Sequence, residues 1–330
     1  MAFELYPCTP AESEAVLAVA QAAIPYDAEG NQRWLRARMQ VDEQRCLRRH
    51  YIAVDSDSQE VVGYGAIEQQ GPDRTRLRLY LLAYPGYLRS GVGRALYTRL
   101  MSDVETLRVT SLWMREYQQD NELLDFMQEH GFVQTRLTWD LRLTLANVNA
   151  TQLVPLLERV AARGVVITPL EEERQRAPNV AQRLHSLYNA VLNDNYAPLT
   201  FQEFIKRLDR PRIMPQGFFV AREGENLIGL STLAYIDGDT EQALQHWTGV
   251  LPNYRRQGIA TALRVCAIDA AQRLGYQGLI TYTDHSDPVM LALNEKLGFH
   301  RWFGMVTLEK TVHEAGVTST LNWPAVQSPS

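Results

Sequence analysis

Two arginines, a glutamine and two small residues stand in one row at Arg255-Arg256-Gln257-Gly258-Ile259-Ala260, between an apolar run and an amphipathic stretch. The order strand, glycine turn, helix has a physical use. The first turn of a helix leaves backbone N–H groups unpaired and carries a partial positive charge, so it attracts anions. Little or no side chain at Gly258 and Ala260 lets a phosphate reach that backbone, and Arg255 and Arg256 add formal charge at the rim. The plainer reading of one such row is a tight turn with two solvated arginines, because short glycine motifs are common. Other phosphate motifs fit worse: there is no Gly-x-x-x-x-Gly-Lys-Ser/Thr and no Gly-x-Gly-x-x-Gly with its acidic partner.

The row occurs twice. Tyr84-Pro85-Gly86-Tyr87-Leu88-Arg89-Ser90-Gly91-Val92-Gly93 and Leu251-Pro252-Asn253-Tyr254-Arg255-Arg256-Gln257-Gly258-Ile259-Ala260 share Pro, Tyr, Arg and Gly at the same offsets. Each follows an apolar run that reads as a strand, Leu77–Ala83 in one and Leu244–Val250 in the other. Each precedes an amphipathic helix, and the second sets Leu263, Ala267, Ala270 and Leu274 along one stripe before stopping at Gly275. A Gly-Phe pair closes a further helical stretch at Gly131-Phe132 and at Gly298-Phe299, 40 residues past the turn glycine in both. Upstream, Ile52-Ala53-Val54 runs through a polar turn to Val61-Val62-Gly63, and Phe219-Val220-Ala221 to Leu227-Ile228-Gly229; both read as hairpins. Landmarks repeated in one order mean two copies of one domain. The copies span residues 1–146 and 164–330, with 147–163 between them as a connecting helix. Asn149 suits its N-cap and Gly164 its C′ position.

The 330 residues are 45% apolar and 22% charged, so either half can bury its own core and disorder is excluded as the main state. Three cysteines, Cys8, Cys46 and Cys266, exclude a disulfide scaffold and suit a reducing compartment, so a cytoplasmic protein is expected. No run reaches the ~18 apolar residues of a membrane helix, and Met1-Ala2-Phe3-Glu4-Leu5 lacks the regions of a signal peptide. A net charge of −5 argues against a nucleic-acid partner. No His/Cys cluster has metal-ligand spacing and no Gly-x-Ser-x-Gly elbow is present, so neither a metal nor a serine nucleophile is expected.

Hairpin, strand, glycine turn, amphipathic helix, short strand and a second helix ending in Gly-Phe, in that order, resemble the GNAT superfamily of N-acetyltransferases. The family motif Arg/Gln-x-x-Gly-x-Gly/Ala is met by Arg255 through Ala260, and Asn294-Glu295-Lys296-Leu297-Gly298-Phe299 resembles the end of the family's second CoA-contacting helix. The tandem arrangement is similar to that of mycothiol-synthase-like members. The resemblance implies a mixed α/β fold: two tandem domains, each a mixed, mostly antiparallel sheet flanked by helices. Two central strands would splay at a bulge and admit acetyl-CoA as co-substrate. It further implies that the backbone at Gly249 and Val250 meets the pantetheine arm and the thioester. Arg255, Arg256, Gln257, Gly258, Ile259, Ala260 and Thr261 would hold the pyrophosphate, with Asp287 and Asn294 on the other side. The matching first-copy residues are Ala83, Arg89, Ser90, Gly91, Val92 and Gly93, but Leu88 stands where the motif has Arg or Gln. The second copy is therefore expected to be the active one.

The family's usual acid and base are both missing. The tyrosine donor's position, four residues before the closing glycine, holds Asn294 in one copy and Met127 in the other. The strand glutamate's position holds Leu244 and Leu77. His246 lies two residues after Leu244 and so on the same strand face, where an imidazole can take a proton near neutral pH; a half-buried structural histidine is the plain alternative. Its counterpart in the first copy is Leu79. Tyr282 is the nearest candidate donor, and Glu241 with Asp239 could relay a proton through water or simply form a hairpin turn. Asp194 and Tyr196, with Tyr26 in the first copy, place carboxylates beside tyrosines in segments that usually shape the acceptor pocket; they suit a cationic amine or are ordinary loop residues. The acceptor is thus expected to be a small-molecule or peptide amine. A catalytically silent acyl-CoA-binding or interaction module is the alternative.

Overall fold

Alternating and continuous apolar runs become strands in the computed structural model, which describes residues 2–24, 47–70, 73–148, 150–192, 197–209 and 211–312. The first copy supplies β1 (Phe3–Pro7), β2 (Arg48–Asp55), β3 (Val61–Gln69), β4 (Arg76–Ala83), β5 (Ser111–Tyr117) and β6 (Val133–Thr144). The second supplies β7 (Val165–Pro169), β8 (Ile213–Glu223), β9 (Asn226–Ile236), β10 (Asp239–Val250), β11 (Gly278–Asp284) and β12 (His300–Thr311). The first four strands of each copy pair antiparallel in sequence order, and the fourth and fifth pair parallel. Both expected hairpins, β2–β3 and β8–β9, are present. The fold is the mixed α/β class expected, in two copies.

The two compact units cross the sequence repeat. One gathers the chain through Glu116, then Asp120–Thr135 and the part from Val306; the other holds Tyr117–Gln119 and Arg136–Met305. From Arg136 onward β6 therefore lies in the unit built mainly from the second copy, where it pairs antiparallel with β11 from Asp284↔Thr138 to Gly278↔Thr144. In the other unit the end of β12 lies beside β5: the Val312 N–H donates to the Thr110 carbonyl at 2.8 Å, and Glu309 pairs with Arg76. Each copy lends its last strand to cover the edge left by the other's fifth. An uncovered edge is a template for unwanted pairing.

Each parallel pair is bridged by the expected amphipathic helix, Val92–Thr106 and Ile259–Arg273. In the second, Leu263, Ala267 and Ala270 are buried as their stripe predicts, but Leu274 is 44% exposed. It falls on the C-cap, one residue past the last helical turn, where the stripe no longer faces the sheet. The Gly-Phe pairs end the helices Asn121–Glu129 and Pro288–Lys296 alike. Gly131 and Gly298 take positive φ, and the next N–H reaches back to Met127 and Asn294 carbonyls at 3.1 and 3.0 Å, the six-to-one bond of a Schellman cap. Phe132 and Phe299 are then buried. The connecting helix runs Ala150–Ala161, with Gly164 at positive φ after it; Asn149 and the tail from residue 313 lie outside the described residues.

Candidate active site

The site is assembled where β10 and β11 part. Their parallel ladder has three pairs, Gln242↔Gly278, Ala243↔Leu279 and Leu244↔Ile280, and ends there. Beyond it β10 continues along β9 with one residue too many: Gln245 pairs with Leu233 and Trp247 with Thr232, so His246 is the extra residue of a β-bulge. A bulge bends its strand and breaks the two-residue alternation. Leu244 is accordingly buried and His246 exposed, so the two do not share a face as simple alternation has it. The first copy has no such bulge. Residues 77–83 of β4 pair with 69–63 of β3 without a shift, although the β4–β5 ladder also stops after three pairs.

The bulge also changes the correspondence between copies. Arg78 and Leu244 both close the parallel ladder, so Leu244 matches Arg78, not Leu77, and His246 has no counterpart in the first copy. Leu79 matches Gln245 instead, as their pairings with Ile67 and Leu233 place them.

Past the parted strands comes the glycine turn. Gly258 (φ 84°) and Gly91 (φ 88°) are left-handed N-caps with no side-chain hydrogen bond, so each helix begins with its N–H groups uncapped by a side chain. Only glycine adopts that conformation without strain. The repeated tyrosine anchors both turns: Tyr254 donates to Glu223 and Tyr87 to Asp55, each at 2.8 Å. Arg255 donates its Nε to the Val250 carbonyl at 3.2 Å, Arg256 is exposed, and the Gln257 side chain donates to the Asn253 carbonyl. Ile259 is buried while Ala260 and Thr261 are partly open. In the first copy Arg89 reaches Glu122 across solvent and Ser90 bonds the Tyr87 carbonyl. Val92 is buried there, and a Cβ on Gly91 or Gly93 would meet nothing within 4 Å.

Under the opening of the second copy lies a polar cluster. Arg264, 4% exposed, donates Nε to Thr248 Oγ1 on β10 at 3.1 Å and a terminal nitrogen to Asn294 Oδ1 on the helix Pro288–Lys296. Asn294, wholly buried, donates Nδ2 to Thr283 Oγ1 on β11 at 2.9 Å. Thr248 also shares a hydrogen bond with Ser231, which accepts from Gln245 at 3.0 Å. Burial pushes the Arg264 guanidinium down to about 9. Asp287, the carboxylate that counters this, caps the helix through the Met290 N–H at 2.9 Å.

Of the proton-transfer candidates, His246 is exposed on the bulge, two residues past the last parallel pair. Tyr282 is 50% exposed on β11, two residues past the last parallel pair and opposite Asp140 of β6. Glu241 lies five residues before His246, roughly 16 Å along an extended strand, on the far side of the ladder. Asp239 opens β10 just after Gly238 and accepts from the N–H groups of Glu241 and Gln242. Tyr26, Asp194 and Tyr196 lie outside the described residues. Among the described residues no cluster of His, Cys, Asp or Glu could hold a metal ion, and no helix is long and apolar enough to cross a membrane.

Gly249 has a packing reason of its own. A Cβ there would lie 2.5 Å from Val191 Cγ2 and 2.9 Å from Val191 Cβ, on the helix Val180–Val191. Gly249→Ala is expected to destabilise the protein by about 1–3 kcal/mol, the usual overpacking penalty. In the double variant with Val191→Ala the two changes are expected to couple favourably by about 1 kcal/mol. Additive urea-denaturation values would contradict this packing account.

Two parted parallel strands beside a glycine-led helix, present in tandem, are the architecture of the GNAT fold. The sequence model of the acetyltransferase (GNAT) family matches residues 18–132 and again 181–299, well over half of the chain, and the chain belongs to that family. Mycothiol acetyltransferase of Pseudarthrobacter chlorophenolicus is 25% identical over 263 residues, 76% of this chain and 76% of its own length. In fold, the chain is similar to a GCN5-related N-acetyltransferase from Sphaerobacter thermophilus, with a TM-score of 0.70 and 18% identity over 94% of this chain and 95% of that one. It is also similar to a tandem GNAT protein of the clavulanic acid biosynthesis pathway, with a TM-score of 0.65 and 16% identity over 95% of this chain and all of that one.

Proposed function

We propose that this acetyltransferase moves the acetyl group of acetyl-CoA to the amine of a small molecule, and that the second copy carries the reaction. The observation that carries the reading is the bulge at His246, which puts an exposed imidazole just past the last β10–β11 pair, on the strand that leads to the uncapped helix start at Gly258. The residues fit the co-substrate. The backbone of Gly249 and Val250 would lie along the pantetheine, and the N–H groups after Gly258, with Arg255 and Arg256 at the rim, would take the pyrophosphate. His246 would accept the amine proton directly or through water, with Tyr282 near the same opening. The name of the curated relatives supports a small-molecule acceptor over a peptide.

Acetyl-CoA binding to Gly258→Asp is expected to be at least ~10-fold weaker, because charge-assisted contacts are worth roughly 1.5–3 kcal/mol each. Gly91→Asp is expected to change it little. Calorimetry on both variants, beside thiol release with a panel of amines, checks this; equal losses would remove the preference for the second copy. The alternative, a silent acyl-CoA-binding module, draws on Asn294, whose side chain is engaged with Arg264 and Thr283 at the position where the family resemblance implies a tyrosine donor. Acetyl-CoA binding without thiol release from any amine would favour it.

A further inference from the structure

We propose that Arg264 holds the negative charge that forms on the coenzyme A sulfur as the acetyl group leaves, in place of a tyrosine proton donor. The inference rests on the reading of the second copy as the acetyl-transfer site.

The placement of Arg264 is the first argument. Its two hydrogen-bond partners, Thr248 and Asn294, and the partner of Asn294, Thr283, belong to β10, the last helix and β11. Thr248 and Thr283 both lie beyond the last β10–β11 pair, so the guanidinium forms the floor of the gap between the parted strands. The second argument is charge. Among the described residues no carboxylate lies within 4.0 Å of Arg264; its hydrogen-bond partners are neutral oxygens, and Asp287 acts on it without an ion pair and offsets only part of the cost of burial. Burying a cation without an anion is costly, and a neutral chain of similar volume generally serves a purely structural role as well or better. A cation kept in such a place is accounted for by an anion that comes and goes. Acetyl transfer makes one: the amine nitrogen bonds to the acetyl carbon, the C–S bond breaks, and sulfur leaves with the electron pair. The proton released by nitrogen goes to the base or to solvent and reaches sulfur afterwards, while Arg264 stays charged and gives up none. The third argument is the first copy. The positions of Thr248, Arg264, Thr283 and Asn294 hold Leu81, Tyr97, Glu116 and Met127 there, so the set is replaced as a whole.

The test uses reduced coenzyme A and the full chain, with binding by calorimetry and the thiol titrated by its ultraviolet thiolate absorbance. On the wild type the bound thiol is expected to titrate about one unit or more below free coenzyme A, the effect of a nearby opposite charge. Arg264→Met is expected to bind coenzyme A within about threefold and return the thiol to its free value; Arg264→Lys is expected to keep part of the shift. A wild-type complex whose thiol titrates like free coenzyme A overturns the proposal, whether or not the variants fold. So does a shift that survives in a folded Arg264→Met. A wild-type chain that binds no coenzyme A at all would instead remove the acetyl-transfer reading beneath it.

Discussion

Glutamine in place of Glu116 is expected to make the protein more stable at pH 9 and to leave it nearly unchanged at pH 5. Glu116 is 8% exposed on β5, and among the described residues neither a hydrogen bond nor an ion pair reaches it. Burial pushes its carboxyl up to about 8 from 4.5; Arg78 pulls against this and Asp120 adds to it. The folded chain thus keeps this proton up to about pH 8, whereas the unfolded chain loses it near 4.5. Between those values the unfolded state binds fewer protons, so stability falls as pH rises and levels off above the folded value. At ~1.4 kcal/mol per unit, the whole fall is up to about 5 kcal/mol. Glutamine does not titrate and should flatten it. Urea midpoints at several pH values would decide: parallel profiles for wild type and Glu116→Gln would place the pH dependence elsewhere.

The second large effect belongs to the bulge, and two variants separate its parts. Deleting His246 is expected to leave a folded chain, because the first copy already shows this strand in regular register with its neighbour. The deletion should cost about 10²-fold or more in turnover and raise the KM for acetyl-CoA, since it straightens β10 along β9 and removes the bend a bulge gives its strand beyond the last parallel pair. His246→Ala keeps the extra residue and removes only the imidazole. If that ring takes the amine proton, turnover falls by about 10²–10⁴-fold, with affinity for acetyl-CoA little changed. The acidic limb of the pH–rate profile should flatten too. An alanine variant with full rate and an intact acidic limb, beside an inactive deletion, would assign the work to the backbone bend alone.

Much of the fold was legible because single positions were over-determined. Gly91 and Gly258 occupy left-handed caps, Gly131 and Gly298 close Schellman turns, and Tyr87 and Tyr254 tie each turn to a hairpin acid. Such residues have few substitutes, so they recur at fixed offsets. The bulge was harder. It breaks no propensity rule, and alignment without gaps set His246 against Leu79. The signal was present all the same: Gly63 precedes Gly91 by 28 residues, while Gly229 precedes Gly258 by 29. Arg264 was missed because a lone arginine on a helix normally reaches solvent. Its stripe gave a hint, since it lies four residues after Ala260 and four before Ile268, among the apolar positions. The exchange of β6 and β12 left no trace, because a strand's pattern records which face is buried and not which strand lies beside it.

That exchange sets an order on the ribosome. The unit completed by the end of β12 has β5 ready once Glu116 has been made, yet Val306 follows 190 residues later. At the usual 5–20 residues per second, its parallel edge waits roughly 10–40 s for a covering strand. The emerging chain is then a half-finished sheet with a free flank, the form most open to pairing with a neighbour on the same messenger. Slow patches of translation late in the message would lengthen that exposure, so yield of this protein should respond more to codon speed in its second half than in its first.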